Sequence, residues 1–336
     1  MKRVKEIGED GLIKLLAERY AGKSRRRLTP IGDDTSVTSQ RKGFALLATT
    51  DTLSEGIHFV KSLGPPRLLG KKALSISLSD IAAMGGTPLF YLASIALPEN
   101  TPLGYVDSIY EGMNARADEF SVFLAGGNTV RSKTGIAITT VVIGETPLKR
   151  VVLRSTARAN DIIYVTGTPG DSALGLKVLM NHGIKRGLQG PFKKAALKHL
   201  DPPPRVSLGK ILSKKKLATA MIDVSDGLIL DLSRLAKASG AGAVIRLEKL
   251  LLSKDVLRYA GKDRLRGCEL ALAGGEDYEL LFTARPGAAR RLSSISKSLN
   301  IPITPIGKIT GKGKAVAVLD ENNREITFKK AGYEHF

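Results

Sequence analysis

Apolar residues along this chain recur at alternate positions in some stretches and every third or fourth position in others, and the changes of rhythm mark its elements. Phe44-Ala-Leu-Leu-Ala-Thr-Thr50 is a short apolar run ending at Asp51, which reads as a buried strand whose end delivers that aspartate to a loop. From Lys71 to Met84 the spacing becomes helical: Ala73, Ile76, Ile81 and Met84 cover one side, and Gly85-Gly86 followed by Pro88 stops the helix with Asp80 near its end. Ile136-Ala-Ile-Thr-Thr-Val-Val-Ile143, rich in β-branched residues and followed by Gly144, is the clearest strand of the first half. The stretch from Glu145 to Ala159 reads as strand remnants and connection, which divides the chain near residue 148 into domains 1–148 and 149–336.

The second half restarts the alternation. Asp161-Ile-Ile-Tyr-Val-Thr166 predicts a strand and Gly167-Thr-Pro-Gly170 a turn; Asp171 then caps a helix that Gly183 ends. Asp201-Pro-Pro-Pro204 breaks the chain, and Ala218-Thr-Ala-Met-Ile222 is a strand ending at Asp223. The helix after it carries Leu228, Leu232, Leu235 and Ala236 on one face and closes at Gly240. Strands and helices alternating in this way make a mixed α/β protein, and the absence of a 20- to 50-residue repeat disfavours a solenoid.

Composition narrows the class. With 336 residues, 43% of them hydrophobic, the chain can bury a substantial core in two domains. Its start lacks an apolar segment after the charges, and no later run approaches the ~18 apolar residues that span a bilayer, so a cytoplasmic protein without a membrane partner is expected. One cysteine, Cys268, makes neither an intramolecular disulfide nor a thiolate zinc cluster, and the four histidines lack metal-ligand spacing, which disfavours a zinc hydrolase. The excess of 52 Lys+Arg over 32 Asp+Glu raises nucleic-acid binding as an alternative. Yet Lys23-Ser-Arg-Arg-Arg27 and Lys214-Lys-Lys216 lack interleaved aromatics and Trp is absent, so the basic residues read as a solvated face, with a field that steers anionic substrates such as ATP as the functional alternative.

Against a formal charge of +20, aspartates set beside Gly, Ser and Thr at the ends of apolar runs read as ligands for hard cations, pointing to Mg²⁺ and phosphate. Asp33-Asp34 follows Gly32 in what is either a cation site or an ordinary turn. Asp51 with Thr49 and Thr50 offers a carboxylate and two hydroxyls to Mg²⁺, or else a helix N-cap. Asp80 lies in an otherwise apolar, small-residue helix, where an unpaired charge is costly. Asp223-Val-Ser-Asp226 sets two carboxylates at a strand-to-helix junction, where Ser225 or the helix amides can also meet phosphate, and capping accounts for one aspartate rather than both. Ala125-Gly-Gly-Asn-Thr129 either lets backbone amides approach a phosphate or makes a tight turn. No P-loop, protein-kinase or Rossmann pattern is present.

Ile31-Gly-Asp-Asp34, Thr50-Asp-Thr-Leu-Ser-Glu-Gly-Ile-His-Phe59, Leu78-Ser-Asp-Ile-Ala-Ala-Met-Gly-Gly-Thr-Pro88, Gly126-Gly-Asn-Thr129, Asp223-Val-Ser-Asp-Gly-Leu228 and Gly274-Gly-Glu-Asp-Tyr-Glu-Leu-Leu281 stand in order along nearly the whole chain. Together with the closing Ala331-Gly-Tyr-Glu-His-Phe336, they strongly resemble the thiamine-monophosphate kinase family. The resemblance implies a two-domain fold like aminoimidazole ribonucleotide synthetase. Its N-terminal strands pair across a homodimer, and its C-terminal α/β domain completes the nucleotide cleft. It also implies ATP as co-substrate, several Mg²⁺ ions, and conversion of thiamine monophosphate to thiamine diphosphate. The related selenophosphate enzyme's N-terminal Cys or Sec has no counterpart here.

Carried onto this chain, the resemblance implies Asp33, Asp51, Asp80, Asp223 and Asp226 as magnesium ligands, with Thr49 or Thr50 beside Asp51. It implies Asp33, Tyr110, Gly127, Asn128, Arg154 and Ser225 around ATP, and His58, Glu276 and Tyr333 around the thiamine phosphate. Tyr110 reads equally as a core aromatic. No general base is assigned, because the acceptor phosphate is already ionised at neutral pH. One departure stands out: the family's Gly-Gly-Asp-Thr is here Gly126-Gly-Asn128-Thr129, a neutral amide at an expected metal-binding carboxylate. It opens a second reading, a nucleotide-binding member with altered or lost kinase activity. The alternative for Asn128 itself is a left-handed turn.

Overall fold

The computed structural model of the chain describes residues 42–311, 316–328 and 331–333, together with Glu6, Leu15, Glu18 and Arg19. Contacts divide the chain into one unit of Met1–Ile81 and Thr87–Leu148 and another of Ala82–Gly86 and Lys149–Phe336.

The first unit holds a four-stranded sheet in the order β1-β4-β2-β3, from β1 (Phe44–Ser54), β2 (Thr87–Leu97), β3 (Leu124–Arg131) and β4 (Ala137–Pro147). β4 runs antiparallel to both β1 and β2, and β3 runs parallel to β2. The expected strand of residues 44–50 continues to Ser54, so Asp51 lies within it and not in a loop beyond it. Nor is it a buried strand. Only Leu47 and Leu53 are buried along β1, because Thr49, Thr50 and Thr52 favour extended backbone while leaving one face polar. β4 likewise outruns its apolar stretch and reaches Pro147, paired residue by residue with β1.

Two helices belong with this sheet, α1 (Pro66–Ala83) and α2 (Leu103–Glu119). α1 was expected to bury one side, but every residue from Lys72 to Ser79 is buried. Small side chains at Ala73, Ser75, Ser77 and Ser79 let neighbours close in all round, a packing that apolar spacing does not reveal. The crossing with α2 is equally close. A Cβ on Gly70 would stand 1.9 Å from the Ile109 carbonyl oxygen, and one on Gly112 1.9 Å from that of Arg67, so each glycine admits the backbone of the other helix.

The second unit holds a six-stranded sheet in the order β10-β7-β9-β5-β8-β6. Its strands are β5 (Ile162–Thr166), β6 (Ala220–Asp223), β7 (Gly242–Arg246), β8 (Leu280–Ala284), β9 (Ile303–Thr310) and β10 (Val316–Leu319). Every pairing is antiparallel except β10 with β7. The helices are α3 (Asp171–Gln189), α4 (Lys193–Leu200), α5 (Val206–Lys214), α6 (Leu228–Ala238), α7 (Lys254–Ala260), α8 (Arg264–Ala273) and α9 (Ala289–Leu299). One core joins Ile163, Ile222, Ile245 and Leu281 of the strands to Leu174, Leu228, Leu232, Leu235 and Ala271 of the helices. The expected apolar face of α6 is therefore its buried face.

Asp171 does not cap α3. Its carboxylate accepts hydrogen bonds from Thr168 and Ser253, while Asp277, distant in sequence, takes the Gly170 and Ser172 amides at 2.6 and 3.1 Å. Gly183 does interrupt the helix, at φ 69° and ψ 171°, and a second helical stretch follows it. Among the described residues no helix is long and apolar enough to cross a membrane.

Candidate functional site

In the first unit the pairing of β1 with β4 and the cover of α1 decide which polar groups meet. Thr49 and Asp51 stand two residues apart on β1 and share a face, and Asp51 lies opposite Thr140 of β4. Thr140 Oγ1 donates to the Ala73 carbonyl at 2.8 Å, which brings α1 over this face. Ser77 Oγ then donates to Asp51 Oδ2 at 2.8 Å, and one helical turn on, Asp80 accepts from Thr49 Oγ1. Two residues along a strand and three along a helix thus bring two carboxylates and two hydroxyls together. Thr50 points to the opposite face and is exposed, so of the two threonines expected beside Asp51 only Thr49 is there. Burial, and after it the charge of Asp80, push the Asp51 carboxyl up to about 6 against the Ser77 bond. Two half-buried carboxylates that raise each other's cost of ionisation, with hydroxyl oxygens beside them, fit a Mg²⁺ ion that retains part of its water shell.

In the second unit β6 ends at the buried Asp223, and the turn to α6 carries Ser225 and Asp226. The amides of Ser225, Asp226 and Gly227 all donate to Asp231 Oδ2, at 3.1, 3.0 and 3.1 Å. The amides that the sequence offered to a phosphate are therefore already bound by a carboxylate, and neither Asp223 nor Asp226 is the cap. Asp226 accepts instead from Arg234 Nη1, which also donates to Asp231 Oδ1 at 2.8 Å. A cation at Asp226 must share that carboxylate with Arg234. Burial holds Asp231 up at about 6 despite the amides and Arg234.

Beside this turn runs the segment Gly274 to Glu279. Glu276 N donates to the Ser225 carbonyl at 2.6 Å, Tyr278 N to that of Val224 at 2.8 Å, and Tyr333 N to that of Asp226 at 2.9 Å. Ser225, Asp226, Glu276 and Tyr333 are gathered in this way, with the Tyr333 side chain exposed. Glu276 and Tyr278 hold φ of 62° and 50°, a region that side chains other than glycine disfavour. Neighbouring carboxylates anchor them. Asp277 caps α3, its carboxyl lifted by burial to about 7, while Glu279 accepts from Thr166, Lys198 and Arg205 at 2.5 to 2.7 Å. Burial alone would raise the Glu279 pKa, but Lys198 and Arg205 outweigh it and hold the carboxyl far below its ordinary value.

The other expected residues are more scattered. Asp33 and its neighbour Asp34 lie outside the described residues. Gly127 and Asn128 are exposed on the edge strand β3, Asn128 opposite Ser94 of β2, so both the tight turn and the left-handed turn are replaced by a strand. The reason lies in packing. A Cβ on Gly127 would stand 1.9 Å from the Ala93 carbonyl oxygen, and only glycine lets β3 lie so close to β2. Tyr110 is 3% exposed, a core residue of α2 with little surface to offer a nucleotide, and burial pushes its phenol far up. Arg154 is exposed, its carbonyl bound by Ser239 Oγ at 3.0 Å. His58 Nδ1 accepts from the Ser54 amide at 3.1 Å, which leaves Nε2 as the ring nitrogen to face a phosphate.

Ser77, Asp231, Arg234, Asp277 and Glu279 went unrecognised in sequence. Asp231 carried a faint signal, an acidic residue in the first turn of a helix. Arg234 reaches Asp226 and Asp231 within its own turn and helix, while Ser77, Asp277 and Glu279 act through partners remote in sequence. Among the described residues no three His, Cys, Asp or Glu side chains close on one point, so the metal donors within reach are the Asp51–Asp80 pair with its hydroxyls and, separately, Asp223 and Asp226.

Comparison with known proteins adds to this geometry. Residues 32–146 match the family described as AIR synthase related protein, N-terminal domain, and residues 158–320 its C-terminal domain. The thiamine-monophosphate kinase of Bacillus subtilis is 36% identical over 306 residues, 91% of this chain and 93% of that protein. Among solved structures, thiamine-monophosphate kinase from Stenotrophomonas maltophilia has a TM-score of 0.80 at 33% identity, covering 88% of this chain and 92% of its own. AaThiL complexed with AMPPCP and TMP has a TM-score of 0.75 at 35% identity, covering 100% and 99%.

Proposed function

The chain belongs to the thiamine-monophosphate kinase family, with the two AIR-synthase-related domains, and from that membership we infer that it transfers a phosphoryl group from ATP to thiamine monophosphate, giving ADP and thiamine diphosphate. The observation that carries the reading is full-length similarity, at 35% identity, to AaThiL, which was solved with an ATP analogue and TMP together. Both reactants are anions, so the attacking phosphate oxygen must approach the γ-phosphorus against charge repulsion. Mg²⁺, when bound, screens that repulsion and stabilises charge on the transferring group. Asp51 and Asp80 would hold an ion within the first unit, with Thr49 and Ser77 orienting them, and Asp223 and Asp226 are the residues of the second unit that would offer metal ligands. Arg154 and Ser225 meet the nucleotide. The acceptor phosphate is already ionised, so the residues align reactants and no side chain removes a proton.

At the acceptor, His58 donates to the phosphate, Glu276 faces the cationic ring system, and Tyr333 stacks on it. Tyr333→Ala is expected to raise the Michaelis constant for thiamine monophosphate while leaving that for ATP nearly unchanged, since a stacking platform acts on the ring. Steady-state kinetics with each substrate varied in turn checks this, and an equal rise in both constants would point to a damaged fold.

Asn128 sits on an exposed strand edge, where its carbonyl can reach a metal without contributing charge. Asn128→Asp is accordingly expected to lower the Mg²⁺ concentration at half-maximal rate. Superimposable Mg²⁺ titrations of the two proteins would remove Asn128 from the metal site.

We further propose a homodimer in the cytoplasm. β1 has a sheet neighbour on one side only among the described residues, and a second copy can satisfy the other edge of an 11-residue strand. Sedimentation of the purified protein reads that state directly.

A further inference from the structure

His199 lies at the end of α4, 6% exposed, and its place is fixed by helix packing: a Cβ on Gly175 of α3 would stand 2.1 Å from the Ala195 carbonyl oxygen and 3.0 Å from His199 Cβ. The close approach of α3 and α4 at Gly175 thus fixes where the His199 side chain starts. Its Nδ1 faces Glu276 Oε2 at 3.3 Å and Ser172 Oγ, itself fully buried, at 3.1 Å. A carboxylate only accepts, so the contact with Glu276 is attractive when the proton sits on Nδ1, and the serine hydroxyl facing the same nitrogen fixes the plane of the ring. The Glu276 backbone is held in a left-handed conformation by its amide bond to Ser225, and the Asp277 and Glu279 anchors follow it immediately. These bonds act on the backbone, and His199 stands at the Glu276 carboxylate itself.

We propose that His199, locked by Ser172 and Gly175, is a positioning residue that orients Glu276 toward the cationic ring of the acceptor and so sets affinity for thiamine monophosphate without touching either substrate. This rests on the acceptor role given to Glu276 above. His199 is one of four histidines in the chain and lies outside every motif that suggested a site. A carboxylate fixed before the substrate arrives binds more tightly than one that must be ordered on binding.

The test is steady-state kinetics of His199→Phe, His199→Asn, Ser172→Ala and Glu276→Gln, varying each substrate in turn. His199→Phe is expected to raise the Michaelis constant for thiamine monophosphate about tenfold and to leave that for ATP within about twofold. His199→Asn sets an amide N–H close to the Nδ1 position and is expected to restore most of the loss. Ser172→Ala keeps the ring and the packing, so it tests the coupling even if the phenylalanine variant fails to fold; a rise of about threefold for the acceptor alone is expected. An acceptor constant unchanged in Ser172→Ala and in whichever histidine variants fold, with Glu276→Gln raising it, overturns the role of His199 and spares that of Glu276. An unchanged acceptor constant in Glu276→Gln overturns both. Equal rises for ATP and thiamine monophosphate in the histidine variants would make His199 a packing residue and overturn the proposal.

Discussion

Asp51→Asn is expected to cut turnover by more than tenfold while the protein stays folded, because on the proposed function it removes one of the two carboxylates that would hold Mg²⁺ against two phosphate chains. The fold itself tolerates the change, since Asn keeps an oxygen for the 2.8 Å bond from Ser77 and loses the repulsion from Asp80. A pH signature goes with it. Burial holds the Asp51 carboxyl near 6, so its neutral form favours the fold below the ordinary value of 3.8, and that contribution is lost as pH rises through 6. Above that pH the carboxylate is formed and a cation can take the place of the proton. Stabilisation by Mg²⁺ is therefore expected to grow as pH passes through 6 in the parent protein and to be weaker and flatter in Asp51→Asn. Thermal melts with and without Mg²⁺ at pH 5 and pH 8 read this directly. Full turnover in the variant would remove Asp51 from the metal site.

The largest effect on stability is expected from Glu279→Gln. Glu279 is fully buried and accepts from Lys198 at 2.5 Å and from Arg205 at 2.6 and 2.7 Å, with both cations themselves largely buried. Removing the charge of one partner strands the other two, which in buried ion pairs costs about 3–5 kcal/mol. Denaturant unfolding checks this, and a loss below about 1 kcal/mol would mean that solvent or another acceptor compensates Lys198 and Arg205. The acidification expected to undo the pair lies well below neutrality, because the pair holds the Glu279 pKa low; stability it confers at neutral pH is lost only as pH falls through that depressed value.

The sequence made the elements legible where local pattern decides them. Leu228, Leu232, Leu235 and Ala236 line the buried face of α6 as their spacing requires, and Gly183 breaks α3 because its backbone leaves the helical region. Pattern failed where a neighbour decides. β1 runs on through Asp51 because β4 offers it eleven paired positions, and the middle of α1, Lys72 to Ser79, is buried all round because its serines are small enough to be covered. The same division holds at the site. Asp51, Asp80 and Asp226 stand out because acidic residues beside Gly, Ser and Thr are unusual in so basic a chain, whereas Glu276 stands out only through the family resemblance. Of the residues that orient or occupy them, Asp231 and Arg234 act within their own turn and helix, while Ser77, Asp277 and Glu279 come into place only through partners that the folded chain supplies. Gly127 had the opposite history: a glycine that suggested phosphate binding is required by the approach of β3 to Ala93.

Asn128, where the resemblance implies an aspartate, stands on β3, apart from the Thr49, Asp51, Ser77 and Asp80 cluster on β1 and α1. A change of Mg²⁺ requirement follows from it more directly than a loss of activity. The decisive measurement is made on the purified, folded protein with Mg-ATP and thiamine monophosphate, following thiamine diphosphate and ADP by mass spectrometry. Equal amounts of the two products, dependent on added Mg²⁺, are the predicted result; no thiamine diphosphate across a wide range of Mg²⁺ concentrations would contradict the assignment of this chain as a thiamine-monophosphate kinase.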